Sequence, residues 1–242
     1  MRIVTLNTWK GDGAYGARLH AMADGLRSLD PDIVLLQEVL DAPELGLHTG
    51  ARLAQDLGLN GVHLPLRDKK RSVEGIRVDS RSGLSVLSRH PIRHSLSIPL
   101  PSRDSDGERA ALVTEIAAPA GPLSVTNLHL THLDDASLRR QQLQAAQKVA
   151  KRPGTALMGG DFNAPIEALA LAGSDWRDCR QELGQPARST LSEHPDGPCI
   201  DHLLWMGRGR APKSWRVALD GLTREGQPMI SDHCAVVVDL AD

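Results

Sequence analysis

The chain has 242 residues, with 28 lysines and arginines against 30 aspartates and glutamates, and a formal net charge of -2. This length can bury a substantial core and suits one domain spanning residues 1–242. The charge balance excludes a global basic field that would attract nucleic acid, and an aromatic content of 2% leaves few platforms for stacking bases.

The three cysteines, Cys179, Cys199 and Cys234, are odd in number and show no C-x-x-C spacing. Neither a disulfide framework nor a zinc ribbon is therefore expected. The first residues read as a strand rather than a signal peptide, and no apolar run reaches the length of a membrane span. We expect a soluble, cytoplasmic monomer that does not insert stably into membranes.

The first third of the chain alternates strand and helix patterns. A strand-like run over residues 2–9 carries Asn7 near its end, and apolar positions at helical spacing predict a helix over Tyr15–Leu29. A continuous apolar run over residues 32–39 predicts a buried strand that ends at Glu38. A carboxylate there is costly unless it is paired or bound to a metal, and the alternative is a salt bridge at the rim.

The next segments are predicted as a helix over residues 45–57 and a short strand over 61–64, with further strands over 83–89, 109–116 and 123–130. Between them lies a basic cluster at residues 67–71, continued by Arg77 and Arg81 in a loop or hairpin edge. Such runs are usually solvated faces. Beside an active site, the same charges could hold an anionic substrate.

His129 lies at the end of the strand over residues 123–130, on the same face as Asn127. A lone histidine there is more often a hydrogen-bonded structural residue than a catalytic one. A helix through about Ala150 follows, and then a short strand over 155–158 that delivers Asp161 and Asn163 into a loop. These two could converge on one ligand atom, or simply cap a turn.

Two further strands carry polar groups at their beginnings. Asp201 lies at the start of a strand over residues 199–205, and Asp232 and His233 precede a strand over 235–240. An Asx turn would explain Asp232 equally well on its own.

Eight acidic, amide or imidazole side chains thus lie where strands meet loops: Asn7, Glu38, His129, Asp161, Asn163, Asp201, Asp232 and His233. Oxygen ligands with one or two imidazoles suit Mg²⁺ or Mn²⁺ better than zinc. Such an ion neutralises phosphate charge and lowers the pKa of a bound water, while a histidine oriented by an aspartate can move protons.

With these motifs in this order, the sequence resembles the endonuclease/exonuclease/phosphatase superfamily along nearly its whole length. The resemblance rests on Asn7, Gln37-Glu38, residues 83–89, residues 127–130, residues 160–163, residues 200–202 and residues 231–233. It implies an α/β (α+β) fold, a four-layer α/β sandwich in which two packed mixed β-sheets are flanked by helices. It also implies Mg²⁺ or Mn²⁺ as the cofactor.

The resemblance further implies a role for each residue on the metal side of the site. Glu38 would be the principal metal ligand, with Asn7 beside it. Asp232 would contribute to the metal shell or orient water. The implied reaction is in-line attack of water on phosphorus without a covalent enzyme intermediate.

On the phosphate side, the resemblance implies that Asp161 orients or deprotonates the attacking water and that Asn163 holds the phosphate or the water. His233 would contact the phosphoryl group as acid or base, held in its tautomer by Asp201. His129 would donate to a phosphate oxygen. Whether Asp161 or His233 is the base stays open at this point.

Departures from subfamily patterns narrow the substrate. AP endonucleases carry Gln-Glu-Thr-Lys, whereas this chain has Gln37-Glu38-Val39-Leu40. They also carry a tyrosine at the position of His129. The disulfides of secreted deoxyribonucleases and the aromatic hairpin of secreted sphingomyelinases are missing. We expect a phosphodiesterase acting on a small or lipid-derived phosphate ester. The alternatives are a DNA or RNA nuclease that grips the backbone with the basic cluster, and a non-catalytic binding module of the same fold.

Overall fold

The computed structural model describes residues 1–150, 154–169, 171, 174–207, 209–220 and 229–241. The helices are α1 Tyr15–Leu29, α2 Thr49–Leu57, α3 Ala136–Ala150 and α4 Cys179–Glu182, with 3-10 turns at Pro43–Leu45 and Ile166–Leu169. The strands are β1 Arg2–Asn7, β2 Ile33–Ala42, β3 Leu47–His48, β4 Asn60–Leu64, β5 Lys69–Val73, β6 Ile76–Ser88, β7 Ile92–Pro99, β8 Ala110–Ile116, β9 Leu123–His129, β10 Ala156–Asp161, β11 Arg177–Asp178, β12 Asp201–Met206, β13 Pro212–Ala218 and β14 Ala235–Leu240.

These strands form two mixed sheets, which confirms the expected sandwich. The first sheet has the order β13-β14-β1-β2-β6-β4, with β3 beside β2 and β5 beside β6, and the second has the order β11-β12-β10-β9-β8-β7. β1 and β2 are parallel in the first sheet, as β9 and β10 are in the second. The carboxyl ends of each parallel pair meet at one edge, so Asn7 lies opposite Gln37 and His129 opposite Asp161.

Both faces of the central strands are buried, which explains their continuous apolar runs. Ile3, Leu35 and Leu157 belong to the core between the sheets. Val4 and Leu36 point the other way, into a second core that includes residues of α1 and α2. The sandwich therefore has one core between its sheets and further cores beneath its helices.

The boundaries of several predicted elements are wrong, among them that of β10, which continues through Asp161 rather than ending at Met158. The helix expected over residues 45–57 begins at Thr49, because a 3-10 turn, a left-handed Gly46 (φ 65°) and the short strand β3 precede it. β2 does not stop at Glu38 but continues to Ala42, with a shift in its register against β6 between Leu36 and Val39. Glu38 has a φ of 54° within this irregularity, and such bulges re-aim a side chain.

Two edge strands, β7 and β13, are not among the predicted elements. β7 is largely exposed, and β13 pairs only with β14 among the strands described. Strand β6 also begins at Ile76 rather than at Gly83, because it forms a hairpin with β5 that carries most of the basic cluster. No helix in the described ranges is long and apolar enough to cross a bilayer.

Candidate active site

The strand ends of both sheets surround a pocket of about 360 Å³. Seven of the eight predicted side chains line it: Asn7, Glu38, His129, Asp161, Asn163, Asp232 and His233. The eighth, Asp201, is fully buried and hydrogen-bonded to His233. The structure thus brings together residues that are separated by more than 220 positions in the sequence.

Asp161 lies at the centre of this arrangement. Its Oδ2 accepts a hydrogen bond from Asn7 Nδ2 at 3.1 Å, and its Oδ1 accepts one from the backbone N–H of Asn163 at 2.8 Å. Burial is the main reason that the pKa of Asp161 rises to about 7. The charge of His233 opposes this rise and the charge of Asp201 adds to it. A carboxylate in this state can accept a proton near neutral pH.

His233 is held between two carboxylates. Its Nδ1 donates to Asp201 Oδ2 at 2.8 Å, and its Nε2 lies 3.8 Å from Asp161 Oδ2. Burial lowers the pKa of His233, but the charges of Asp201 and Asp161 outweigh burial and raise this pKa to about 10. The ring is therefore an imidazolium at neutral pH.

Asn163 and His129 form a second pair. Asn163 adopts a left-handed backbone (φ 51°), and its Nδ2 donates to the carbonyl of Leu130 and to Nε2 of His129, both at 3.0 Å. The bond to the carbonyl fixes the orientation of the amide, so Nε2 of His129 is the acceptor. Burial, followed by the charges of Arg109 and His233, holds the pKa of His129 well below its usual range. His129 is thus neutral, and it could donate from Nε2 only after the amide of Asn163 is displaced.

Glu38 shows both of the behaviours considered from sequence. Its Oε2 forms an ion pair with Lys10 Nζ at 2.8 Å, as a rim salt bridge would, and its side chain also lines the pocket beside Asn7 and Asp232. Burial raises the pKa of Asp232, and the negative charge of Glu38 raises it further. A carboxyl group whose ionisation is disfavoured by burial and by a neighbouring carboxylate is a suitable setting for a hard divalent cation.

A different trio among the described residues also has potential ligand atoms close together. Single atoms of Asp161, Asp201 and His233 lie within 4.8 Å of one another. Nδ1 of His233 is already committed to Asp201, however, and the imidazolium has no free lone pair. This trio is better described as a hydrogen-bonded charge network than as a metal site.

The interior carries two supporting networks that sequence reasoning did not assign. Nε2 of Gln37 donates to Asn127 Oδ1 at 2.8 Å, and Nδ2 of Asn127 donates to the carbonyls of Leu36 and Ser85, which joins the two sheets. Both residues belong to motifs that carry the family resemblance, but the local pattern shows each only as a polar residue within an apolar strand.

The second network supports the histidine side of the pocket. Arg109 forms a buried ion pair with Asp106 at 2.6 Å and donates to the carbonyl of His129 at 3.2 Å. It also lies 3.1 Å from Nδ1 of His132. Asp106 and Arg109 are three residues apart in a polar segment, and nothing in that spacing distinguishes them from surface charges.

Arg18 is a further residue that sequence reasoning missed. It is buried in α1, and its guanidinium donates only to main-chain oxygens among the described residues, those of Thr8, Trp9, Lys10, Asp12 and Ile230. These carbonyls belong to the loop after β1 and to the segment before Asp232. Arg18 shares a helix face with the buried Tyr15 and Met22, and that placement of a charged residue was the available signal.

Cationic side chains occupy another part of the pocket wall. Arg67, Lys69 and Arg71 of the basic cluster line it together with Lys10 and His132. The basic cluster therefore lies beside the predicted site rather than on a remote face.

Comparisons with solved structures agree with this architecture. An endonuclease/exonuclease/phosphatase from Beutenbergia cavernae DSM 12333 superposes with a TM-score of 0.80 at 22% identity, over 99% of this chain and 71% of that one. A family protein from Leptotrichia buccalis C-1013-b gives a TM-score of 0.78 at 14% identity, over the whole of both chains. D. rerio TDP2, complexed with a single-strand DNA product, gives 0.77 at 16% identity, over 100% and 99%.

At these identities the structural matches establish the fold alone. No curated protein matches the sequence. The model of the Endonuclease/Exonuclease/phosphatase family, however, matches residues 4–233, which include every predicted site residue. The chain therefore belongs to the endonuclease/exonuclease/phosphatase family.

Proposed function

We propose that this protein is a Mg²⁺- or Mn²⁺-dependent phosphodiesterase that hydrolyses its substrate by in-line attack of water on phosphorus. The observation that carries the proposal is the pairing of Asp161, whose pKa is about 7, with His233, whose pKa is about 10, in one pocket. A potential base and a potential acid with well-separated pKa values are typical of sites that transfer protons in both directions.

The proposed metal site consists of the oxygen donors of Glu38, Asn7 and Asp232. The mutual repulsion of the two carboxylates supports this assignment, because a cation would relieve it. A bound ion would neutralise charge on the phosphate and lower the pKa of a water molecule. Lys10, which pairs with Glu38 at 2.8 Å, would have to share or release that carboxylate.

The protein's own groups supply the proton transfers. Asp161 is partly deprotonated at pH 7 and takes the proton of the attacking water, and Asn7 and the backbone of Asn163 fix its two oxygens. His233 remains charged at the same pH, contacts a phosphoryl oxygen and protonates the leaving group. Asp201 holds His233 in the required tautomer. His129 and Asn163 orient each other and, when substrate displaces their contact, contact the phosphate.

A nuclease is the second candidate function. The cationic wall formed by Arg67, Lys69 and Arg71 favours it, and so does the similarity in fold to D. rerio TDP2, which was crystallised with a single-strand DNA product. A nuclease would hydrolyse single-stranded oligonucleotides, and its KM for them would rise steeply with added salt. A KM that does not depend on salt would favour a small-molecule substrate.

The proposal is tested by hydrolysis of bis-p-nitrophenyl phosphate with and without EDTA. We expect EDTA to abolish turnover and Mg²⁺ or Mn²⁺ to restore it. Glu38→Gln should lower kcat/KM by about 100-fold or more, because it removes one charge from the metal site. Glu44→Gln is the matched control, since Glu44 is exposed outside the pocket. Turnover that persists in EDTA, or an unchanged Glu38→Gln enzyme, would contradict the metal-dependent mechanism. No turnover with either metal would favour the non-catalytic binding module.

A further inference from the structure

We propose that Arg67 and Arg71, with Lys69 beside them, bind a second phosphate group of the substrate, one that is not cleaved. The natural substrate would then be a phosphodiester that also carries a terminal phosphate monoester. This inference rests on the proposed function and specifies the substrate class of the same site.

Arg67 is a half-buried cation whose side chain forms no hydrogen bond or ion pair with any residue in the described ranges. Burial is the main reason that its pKa is lowered, and its nearest carboxylates, on Asp106 and Glu38, act only at a distance. Gly107 (φ 71°) makes room for it, because a Cβ at that position would lie 3.2 Å from Arg67 Nε. The local backbone thus accommodates a guanidinium that forms no ion pair with a carboxylate of the described residues.

Arg71 is held in place without being neutralised. Its Nη1 donates to the carbonyl and hydroxyl oxygens of Ser80, both at 3.1 Å, and its Nη2 donates to the hydroxyl of Ser82 at 2.9 Å. These acceptors are uncharged, and its Nε makes no bond to any described residue. Burial lowers the pKa of Arg71, with Glu38 and Asp12 providing a weaker opposing attraction.

Several other arginines of the chain are paired with carboxylates. Arg81, Arg89 and Arg103 each lie 2.5 Å from a carboxylate, and Arg109 lies 2.6 Å from one. Most of these pairs lie on the exposed surface, where an ion pair contributes least to stability because water already solvates both charges. Arg67 and Arg71 line the pocket and have no carboxylate within 4.0 Å in the described part of the chain. Unlike the buried Arg18, whose guanidinium is surrounded by main-chain oxygens, they are accessible to an anion from solution, which would gain most there.

The hairpin that carries Lys69 and Arg71, and that follows directly after Arg67, is fixed to the body of the protein. Val73 is buried in a cluster with Tyr15, Leu40 and Val78, and a Cβ at Gly11 would lie 2.8 Å from one of its methyl groups. Ladder pairing joins the hairpin strands along their length. The cations are therefore positioned before the ligand arrives, which lowers the entropy that binding must overcome.

The charge count distinguishes a second phosphate from the cleaved one. The cleaved group must lie against Asp161 and His233, and Lys10 is already paired with Glu38 on that side. Arg67, Lys69 and Arg71 provide three further positive charges. A terminal phosphate monoester, which carries nearly two negative charges at neutral pH, matches this wall better than a diester carrying one.

The test uses two chromogenic esters that differ by one group, thymidine 5'-(p-nitrophenyl phosphate) and its 3'-phosphorylated form, with the metal-loaded enzyme. We expect kcat/KM to be about 10- to 100-fold higher for the 3'-phosphorylated ester, mainly through KM. Arg67→Gln and Arg71→Gln should each reduce this ratio. Arg77→Gln is the matched control and should preserve the ratio, because Arg77 is exposed on the same hairpin outside the pocket.

A wild-type ratio near one would overturn the inference, as would a loss in Arg71→Gln that is equal for both esters in a normally folded protein. A parallel pair built on ethylene glycol distinguishes the source of the phosphate. Preference in both pairs supports recognition of the phosphate alone, and preference only in the thymidine pair supports recognition of a nucleotide. If neither ester is hydrolysed, the proposed function fails. Calorimetry with thymidine 3',5'-bisphosphate and thymidine 5'-phosphate then decides the binding question separately, and equal affinity would overturn the inference.

Discussion

Replacing Arg18 with alanine is expected to destabilise the protein by about 3 to 5 kcal/mol and to reduce its activity further than the loss of folded protein explains. Arg18 holds the loop in which Trp9 and Lys10 both adopt left-handed backbones, with φ of 54° and 44°. It also holds the carbonyl of Ile230, two residues before Asp232. Its removal should release the loop and misplace Lys10 and Asp232 together.

The magnitude follows from the hydrogen bonds. Arg18 donates to five main-chain oxygens at distances between 2.8 and 3.2 Å. Each bond contributes about 0.5 to 1.5 kcal/mol net. The lower half of their sum applies, because the loop carbonyls regain water once the side chain is removed and the cost of burying the guanidinium charge is lost with it.

Urea denaturation, followed by fluorescence and by activity, measures both effects. Arg18→Lys should recover only part of the stability, because one ammonium cannot reach all five acceptors. Arg27→Ala is the matched control on the same helix. Arg27 is exposed and pairs with Asp24, so we expect a change of no more than about 0.5 kcal/mol. An Arg18→Ala protein within about 1 kcal/mol of wild type, with unchanged kcat/KM, would refute this reasoning.

Two other substitutions test the site. Gly160→Ala should destabilise the protein by about 3 kcal/mol or more, since a Cβ there would lie 1.8 Å from the carbonyl oxygen of Leu128. Gly184→Ala is the control and should cost about 1 kcal/mol, because the space around Gly184 is open. Thermal melts measure both changes in stability. Asp201→Asn should move the alkaline limb of the pH profile of kcat/KM down by about two pH units from its wild-type position near pH 10, because His233 loses its closest negative partner. An alkaline limb that does not move would contradict the assignment of His233 as the acid.

Much of the fold follows from local patterns. The helix over Tyr15–Leu29 and the strand over Ala235–Leu240 coincide with their predicted bounds, because their apolar residues repeat at the period of the element. Glu38 shows the limit of this reasoning. Its bulge depends on the register between β2 and β6, which joins residues more than 40 positions apart, and no local pattern encodes that register.

The candidate site also contains some residues that could be predicted from the sequence and others that could not. Side chains with recognisable chemistry, such as Asp161 and His233, could be named from motifs and their order. Arg18 could not, because its partners are main-chain carbonyls that any residue supplies. Arg67 and Arg71 were visible as a basic run, but their lack of carboxylate partners depends on the neighbours that folding provides.

The hydrogen bond between the side-chain amides of Gln37 and Asn127 affects how the protein should lose activity on heating. Asn7 and Glu38 come from one sheet, and His129 and Asp161 from the other. The proposed catalytic residues therefore come from both of the sheets that this bridge joins. Substitutions at Gln37 or Asn127 should let the two sheets shift against each other and separate the two halves of the site while each sheet stays intact. Such variants should therefore lose activity at temperatures well below those at which they unfold.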